Sequence, residues 1–164
     1  MYRSATAIDA HQFADDDTRE LWLACLQWEG HPGLVGHSDG DVAAHAVCDA
    51  VLIAAGLGEL GTIFGVDQPQ WAGATGQAMM SHVVERVREA GWQIEFVSVQ
   101  IIGQRPRLLP RKYEAEQRMS EILGAPVAVC ATTTDRMGFT GRDEGLAAIA
   151  TATLSRANME AECK

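Results

Sequence analysis

HSDGDVAAHAVCDAVLIAAGLG, residues 37–58, reads as a turn, a helix and a stop. Asp41 to Ala55 is rich in Ala, Val and Leu, without Gly or Pro, which predicts a helix. Ser38 or Asp39 is expected to cap its start, and Gly56-Leu57-Gly58 ends it. Asp41, His45 and Asp49 recur every fourth residue and therefore share one face. Polar groups on an otherwise apolar helix are costly unless paired, solvated or liganded. A cap does not explain His45, which sits among Ala43, Ala44, Ala46 and Val47. A core histidine satisfied by hydrogen bonds and a metal ligand both fit it.

Working outward, a strand is expected to end near Asp9-Ala10-His11, and a second to cover Leu21 to Trp28. The acidic run Asp15-Asp16-Asp17 between them reads as a solvated loop, and Gly30-His31-Pro32-Gly33 as a turn. Residues 59–76 lack a sustained period and read as a loop. Gly76 to Glu89 predicts a helix, with Met79, Val83, Val84 and Val87 on one stripe. Ile94 to Ile102 is β-rich, Gly103 to Pro110 a basic loop, Lys112 to Leu123 a helix, and Val127 to Thr134 a strand. A loop at 135–145 leads to Leu146–Leu154, where Thr content favours strand over helix. Alternation of few strands with few helices predicts an α/β (α+β) sandwich, a small mixed sheet with helices on one face. The small residues Ala147, Ala148, Ala150 and Ala152 suggest a tightly packed face, which a symmetric oligomer interface could use.

The 164 residues suit a single domain spanning 1–164, with a frayed tail from about 157 to 164. A net charge of −9 excludes a nucleic-acid partner, whose backbone needs clustered Lys and Arg, and an anionic membrane surface. No apolar run is long enough for a membrane span, and the N-terminus has no signal-peptide core, so the expected location is cytoplasmic. Cys25, Cys48, Cys130 and Cys163 form no CxxC pair and read as thiols in a reducing compartment.

Asp9-x-His11 puts a carboxylate and an imidazole on one face of a strand. With His45 they make a three-ligand nitrogen/oxygen set, the catalytic rather than structural arrangement for zinc. A second constellation is Thr132-Thr133-Thr134-Asp135 followed by the Gly-rich turn Met137 to Arg142. Hydroxyls and backbone amides there can hold phosphate oxygens, Asp135 a hard divalent cation, and Arg142 a phosphate. An ordinary Thr-rich strand end remains the alternative.

HSDGDVAAHAVCDA (37–50) and ATTTDRMGFTGRDEG (131–145), in this order and separation, resemble the 2-C-methyl-D-erythritol 2,4-cyclodiphosphate synthase family, a likeness extending from Asp9 to about Leu154. The resemblance implies a homotrimeric phosphorus–oxygen lyase of the non-mevalonate isoprenoid pathway, with active sites between subunits. The implied substrate is the cytidine diphosphate compound 4-diphosphocytidyl-2-C-methyl-D-erythritol 2-phosphate, whose 2-phosphate attacks its own β-phosphorus and expels CMP. It implies Zn²⁺ on Asp9, His11 and His45, and Mg²⁺ or Mn²⁺ with the substrate diphosphate near Thr132, Thr133, Thr134 and Asp135. His37 and Thr133 are implied to stabilise the transition state, with Asp9, His11 and Ser38 also in the substrate site. Glu59 and Gly61 are implied at the methylerythritol phosphate end, and Asp67 in the substrate site. Gly103, Arg107, Leu108 and Leu109 are implied around the cytosine. Phe139 and Arg142 are implied in the last contact segment, bordering in some members a trimer-axis cavity for an isoprenoid diphosphate.

The chain departs from the family's usual pattern at several points. Ala5 and Ala7 replace glycines, Phe64-Gly65-Val66-Asp67-Gln68-Pro69 replaces FPDTDP, Arg107 replaces Lys, Asp135 replaces Glu, and Asp143 replaces Gly. Asp143 adds negative charge near a phosphate site. Two other activities suit the same residues: a zinc phosphohydrolase using water as nucleophile, and a trimeric isoprenoid-diphosphate sensor.

Overall fold

The structure is a computed structural model that describes residues 1–15, 18–65 and 71–156. Asp16, Asp17, Asp67 and the expected frayed tail lie outside the described residues. Four strands form the main sheet: β1 (Tyr2–Gln12), β4 (Gln93–Ile102), β5 (Val127–Thr132) and β6 (Gly145–Ser155). Their order is β1-β6-β4-β5; β6 is antiparallel to both neighbours and β4 runs parallel to β5. The expected mixed sheet is therefore present, and Leu146–Leu154 is a strand.

Leu21–Trp28 is not the single strand expected. It is a two-residue-strand hairpin, β2 (Trp22–Leu23) against β3 (Leu26–Gln27). Ala24 and Cys25 form its turn at φ 55° and 58°, a region that costs side-chain-bearing residues energy. The Asp41 carboxylate offsets that cost by accepting both turn N–H groups, Ala24 at 2.9 Å and Cys25 at 2.6 Å.

Helix α1 (Val42–Ala55) crosses β1 and β6, with α3 (Gly76–Glu89) beside it and α4 (Lys112–Leu123) linking β4 to β5. The N-cap of α1 is Asp41, not Ser38 or Asp39, and its carboxylate accepts from Ala43 and Ala44 N–H at 3.1 Å each. Asp41 is wholly buried. Burial pushes its carboxyl up from the usual range, Asp39 adds to the push, and the N–H donors of Cys25 and Ala44 pull against it.

The loop expected at 59–76 contains a short helix, α2 (Leu60–Phe64), started by Leu60 N–H donating to Asp49 at 2.6 Å. The loop at 135–145 contains α5 (Gly138–Gly141), and β5 ends two residues before Thr134. Short helices of this kind lack the repeated apolar spacing that marks a longer one.

Ala148, Ala150 and Ala152 of β6 face α1, whereas Ala147 alternates onto the other face of the sheet. Ala148, Ala150 and Ala152 are fully buried within the chain beneath α1, so they are not a free interface. The opposite sheet face carries Ser4, Thr6 and Ile8 beside Thr153, Thr151 and Ile149. Ser4 pairs with Thr153 at 2.9 Å and Thr6 with Thr151 at 2.8 Å, while Ile8 is 67% exposed. Among the described residues, no helix is long and apolar enough to cross a membrane.

Candidate metal centre

Asp9 and His11 alternate onto the inner face of β1, and His45 looks across from α1. Asp9 Oδ2 lies 3.1 Å from His11 Nε2 and 3.1 Å from His45 Nδ1. The three ligand atoms fall within 4.8 Å of one another. Ligand atoms about 2.0–2.1 Å from a tetrahedral zinc would be about 3.3 Å apart, so this donor set fits such an ion. The histidine was expected as either core or ligand; its Nδ1 faces the Asp9 carboxylate rather than a backbone partner.

Each imidazole is oriented through its other nitrogen, as metal-binding histidines usually are. His11 Nδ1 donates to Val35 O at 2.6 Å. His45 Nε2 lies 3.0 Å from Ser38 Oγ and 3.7 Å from Asp39 Oδ1. Burial works to raise the Asp9 carboxyl, but hydrogen bonds and charge from His11 and His45 hold it well below the usual carboxylate range. The Asp9 hydrogen bond raises His11 from its ordinary value.

Asp49, one turn after His45, holds the first N–H of α2, the helix capped by Glu59 and carrying Gly61. Burial raises the Asp49 carboxyl. His37 is exposed and Ser38 is buried.

The threonine constellation forms a separate turn. Thr133 Oγ1 and Asp135 Oδ1 are 3.4 Å apart, and Thr134 Oγ1 donates to Met137 O at 2.6 Å. Asp135, at φ 50°, is not part of the metal-competent group. Phe139 is exposed on α5. Arg142 is held by Glu144, Nε at 2.8 Å and Nη2 at 3.1 Å.

Sheet register relates the two groups. Ala10, Ala147, Ile102 and Thr132 form one row across the four strands. The metal group and the threonine turn therefore stand at the same end of the sheet on opposite edges, about 14 Å apart at three strand spacings.

The loop after β4 starts at Gly103, whose N–H donates to Thr132 O at 3.1 Å. Leu108 is buried, while Arg107 and Leu109 are exposed. Arg105, which the sequence did not single out, pairs with Asp143 at 2.9 Å and lies over the Phe13 ring at 4.7 Å. It neutralises the added charge of Asp143. Sequence inspection also missed Arg19, Asp41 as a double clamp, and Asp49 as an anchor. No local motif marks them, because each bonds to backbone groups distant in the chain.

The YgbB family model matches residues 2–155. The chain belongs to the YgbB family. Among YgbB relatives, the 2-C-methyl-D-erythritol 2,4-cyclodiphosphate synthase of Acidothermus cellulolyticus is 51% identical over 150 residues, 92% of each chain. The synthase of Cutibacterium acnes is 60% identical over 124 residues, 76% of this chain and 74% of its own. A solved bifunctional IspDF from Campylobacter jejuni matches with TM-score 0.89 at 31% identity, over 96% of this chain and 43% of that one. A solved 2C-methyl-D-erythritol-2,4-cyclodiphosphate synthase in its CDP-bound form matches with TM-score 0.84 at 26% identity, over 93% of this chain and all of that one.

Proposed function

We propose that this YgbB chain converts 4-diphosphocytidyl-2-C-methyl-D-erythritol 2-phosphate into 2-C-methyl-D-erythritol 2,4-cyclodiphosphate and CMP. It acts as a phosphorus–oxygen lyase in the cytoplasmic non-mevalonate isoprenoid pathway. The observation that carries this reading is the convergence of Asp9, His11 and His45 from two elements onto one metal-sized space.

A 2-phosphate oxygen forms a bond to the β-phosphorus, and the bond from that phosphorus to the oxygen bridging it to the α-phosphate breaks. CMP leaves with that oxygen. Two anionic groups must be brought together, so alignment and charge neutralisation matter more than a strong base. Zinc would be held by Asp9, His11 and His45 and would supply Lewis acidity toward a phosphate oxygen, and Asp135 would hold Mg²⁺ or Mn²⁺ near the diphosphate. His37 and Thr133 donate to the oxygens on which charge accumulates. Ser38, Glu59 and Gly61 hold the methylerythritol phosphate end. Thr132 and Thr134 line the diphosphate. Gly103, Arg107, Leu108 and Leu109 frame the cytosine. Phe139 and Arg142 close the last segment, beside a trimer-axis site for an isoprenoid diphosphate.

The sheet supports a homotrimer with shared sites. One substrate must reach both the metal group and a threonine turn, which within one chain occupy opposite sheet edges. A neighbouring copy that sets its β5 edge beside β1 closes that gap. The outer sheet face around Ile8 is also exposed to a neighbouring copy.

The test is turnover of the named substrate followed by ³¹P NMR. Zinc-dependent CMP release with a cyclic product supports the reading. A linear product identifies a phosphohydrolase, and isoprenoid-diphosphate binding without CMP release identifies a sensor; either overturns it.

A further inference from the structure

Four consecutive carbonyls, from Val35 to Ser38, are each taken by a group from elsewhere in the chain. Val35 O accepts from His11 Nδ1 at 2.6 Å. Gly36 O accepts from Arg19 Nη1 at 3.1 Å. His37 O accepts from Gly73 N–H at 3.0 Å. Ser38 O accepts from Arg19 Nη2 at 2.6 Å. Arg19 thus grips the backbone on both sides of His37 with one planar guanidinium, a two-point geometry that a lysine ammonium cannot reproduce.

Arg19 is itself fixed. Gly33 N–H donates to Arg19 O at 3.1 Å, and a Cβ on Gly33 would lie 2.6 Å from Arg19 Cβ. Only glycine permits that approach, which lets the guanidinium reach residues 36–38. No carboxylate among the described residues forms an ion pair with Arg19, so its hydrogen bonds go to the loop.

We infer that Arg19 is a positioning residue that holds His37 in fixed relation to the metal ligand His11. The inference rests on the proposed role of His37 in the transition state. The loop's own sequence cannot supply that rigidity: Gly36 and Gly40 flank His37 and Ser38, and glycine adds backbone freedom. A histidine that donates to accumulating charge must be in place before reaction, and a misplacement near 1 Å costs about a hundredfold in rate.

The experiment compares Arg19→Met, Arg19→Lys, Arg19→Ala and His37→Ala in the full chain, by steady-state kinetics and bound-zinc content. Arg19→Met is expected to lower kcat by about tenfold to a hundredfold, with KM within about twofold and zinc retained. Arg19→Lys is expected to recover part of the loss. Guanidinium added at millimolar concentration is expected to raise kcat of Arg19→Ala and not of His37→Ala. The double variant Arg19→Met with His37→Ala is expected to be no slower than His37→Ala alone. If His37→Ala is impaired while Arg19→Met keeps kcat, or loses it only with its zinc, the positioning role is overturned and the role of His37 stands. If His37→Ala keeps full kcat, the role of His37 falls and this inference with it.

Discussion

Asp9 Oδ2 and His45 Nδ1 lie 3.1 Å apart although 36 residues separate them in the chain. A strand and a helix meet there because alanines line both surfaces. Ala5 and Ala7 of β1 and Ala148 and Ala150 of β6 let α1 approach closely. The metal-sized gap is thus a product of core packing as much as of ligand identity.

His45→Ala should remove bound zinc and reduce turnover by at least about a hundredfold, since second-sphere losses alone cost about 10–100-fold. Metal analysis and CMP release check this together. Retention of both zinc and turnover would refute the site.

Zinc binding should strengthen as pH rises. In the metal-free protein, His11 donates from Nδ1 to Val35 O while Nε2 faces Asp9, and its pKa is raised by that carboxylate. Its charged form is therefore favoured below the raised pKa, and zinc must displace the Nε2 proton. Binding should release a proton below the raised pKa of His11 and cease to do so as pH rises through it. Calorimetry in buffers of different ionisation enthalpy reads the proton count directly.

Asp41→Ala should destabilise the fold by about 3–5 kcal/mol, because a cap is lost and buried N–H groups of Ala24 and Cys25 lose their acceptor. Asp41→Asn, keeping one carbonyl oxygen, should lose less. Urea unfolding of the two variants gives the comparison; equal losses would mean that the oxygen kept by asparagine contributes nothing, and no loss in Asp41→Asn that the second carboxylate oxygen contributes nothing.

On the proposed framing of cytosine by the loop after β4, Arg105→Met should weaken CDP binding by about two- to fivefold and leave the fold stability within about 1 kcal/mol, as expected for a half-exposed ion pair. Asp143→Asn should do the same and the double variant no more. Additive losses would show that Arg105 acts on the nucleotide without Asp143.

Helices with a sustained apolar stripe were legible in the sequence. Gly76–Glu89 and Lys112–Leu123 have the bounds that their periodicity predicts. The metal trio was legible too, because Asp9-x-His11 and His45 carry ligand chemistry in residue type and spacing. The hairpin at Trp22–Gln27 was not, since its turn residues, Ala24 and Cys25, have no turn preference and are held by the remote Asp41. Asp41 was misread for a related reason. A carboxylate two residues after Ser38-Asp39 looks redundant as a cap until the hairpin arrives to use its second oxygen. Arg19 and Arg105 escaped notice because arginines that bind distant carbonyls or a single distant acid leave no local pattern.

Helix α1 leaves little room for neutral change. All its residues except Asp49 and Ile53 are buried, and Asp49 is committed to α2. The same fourteen positions supply the hydrophobic centre, a candidate metal ligand and the anchor for the next helix. Selection on durability and selection on activity therefore fall on one stretch of chain and cannot be relaxed separately. Diversification and laboratory evolution of this protein should proceed through the hairpin, the loop after β4 and the outer sheet face, with α1 as the part that lineages keep.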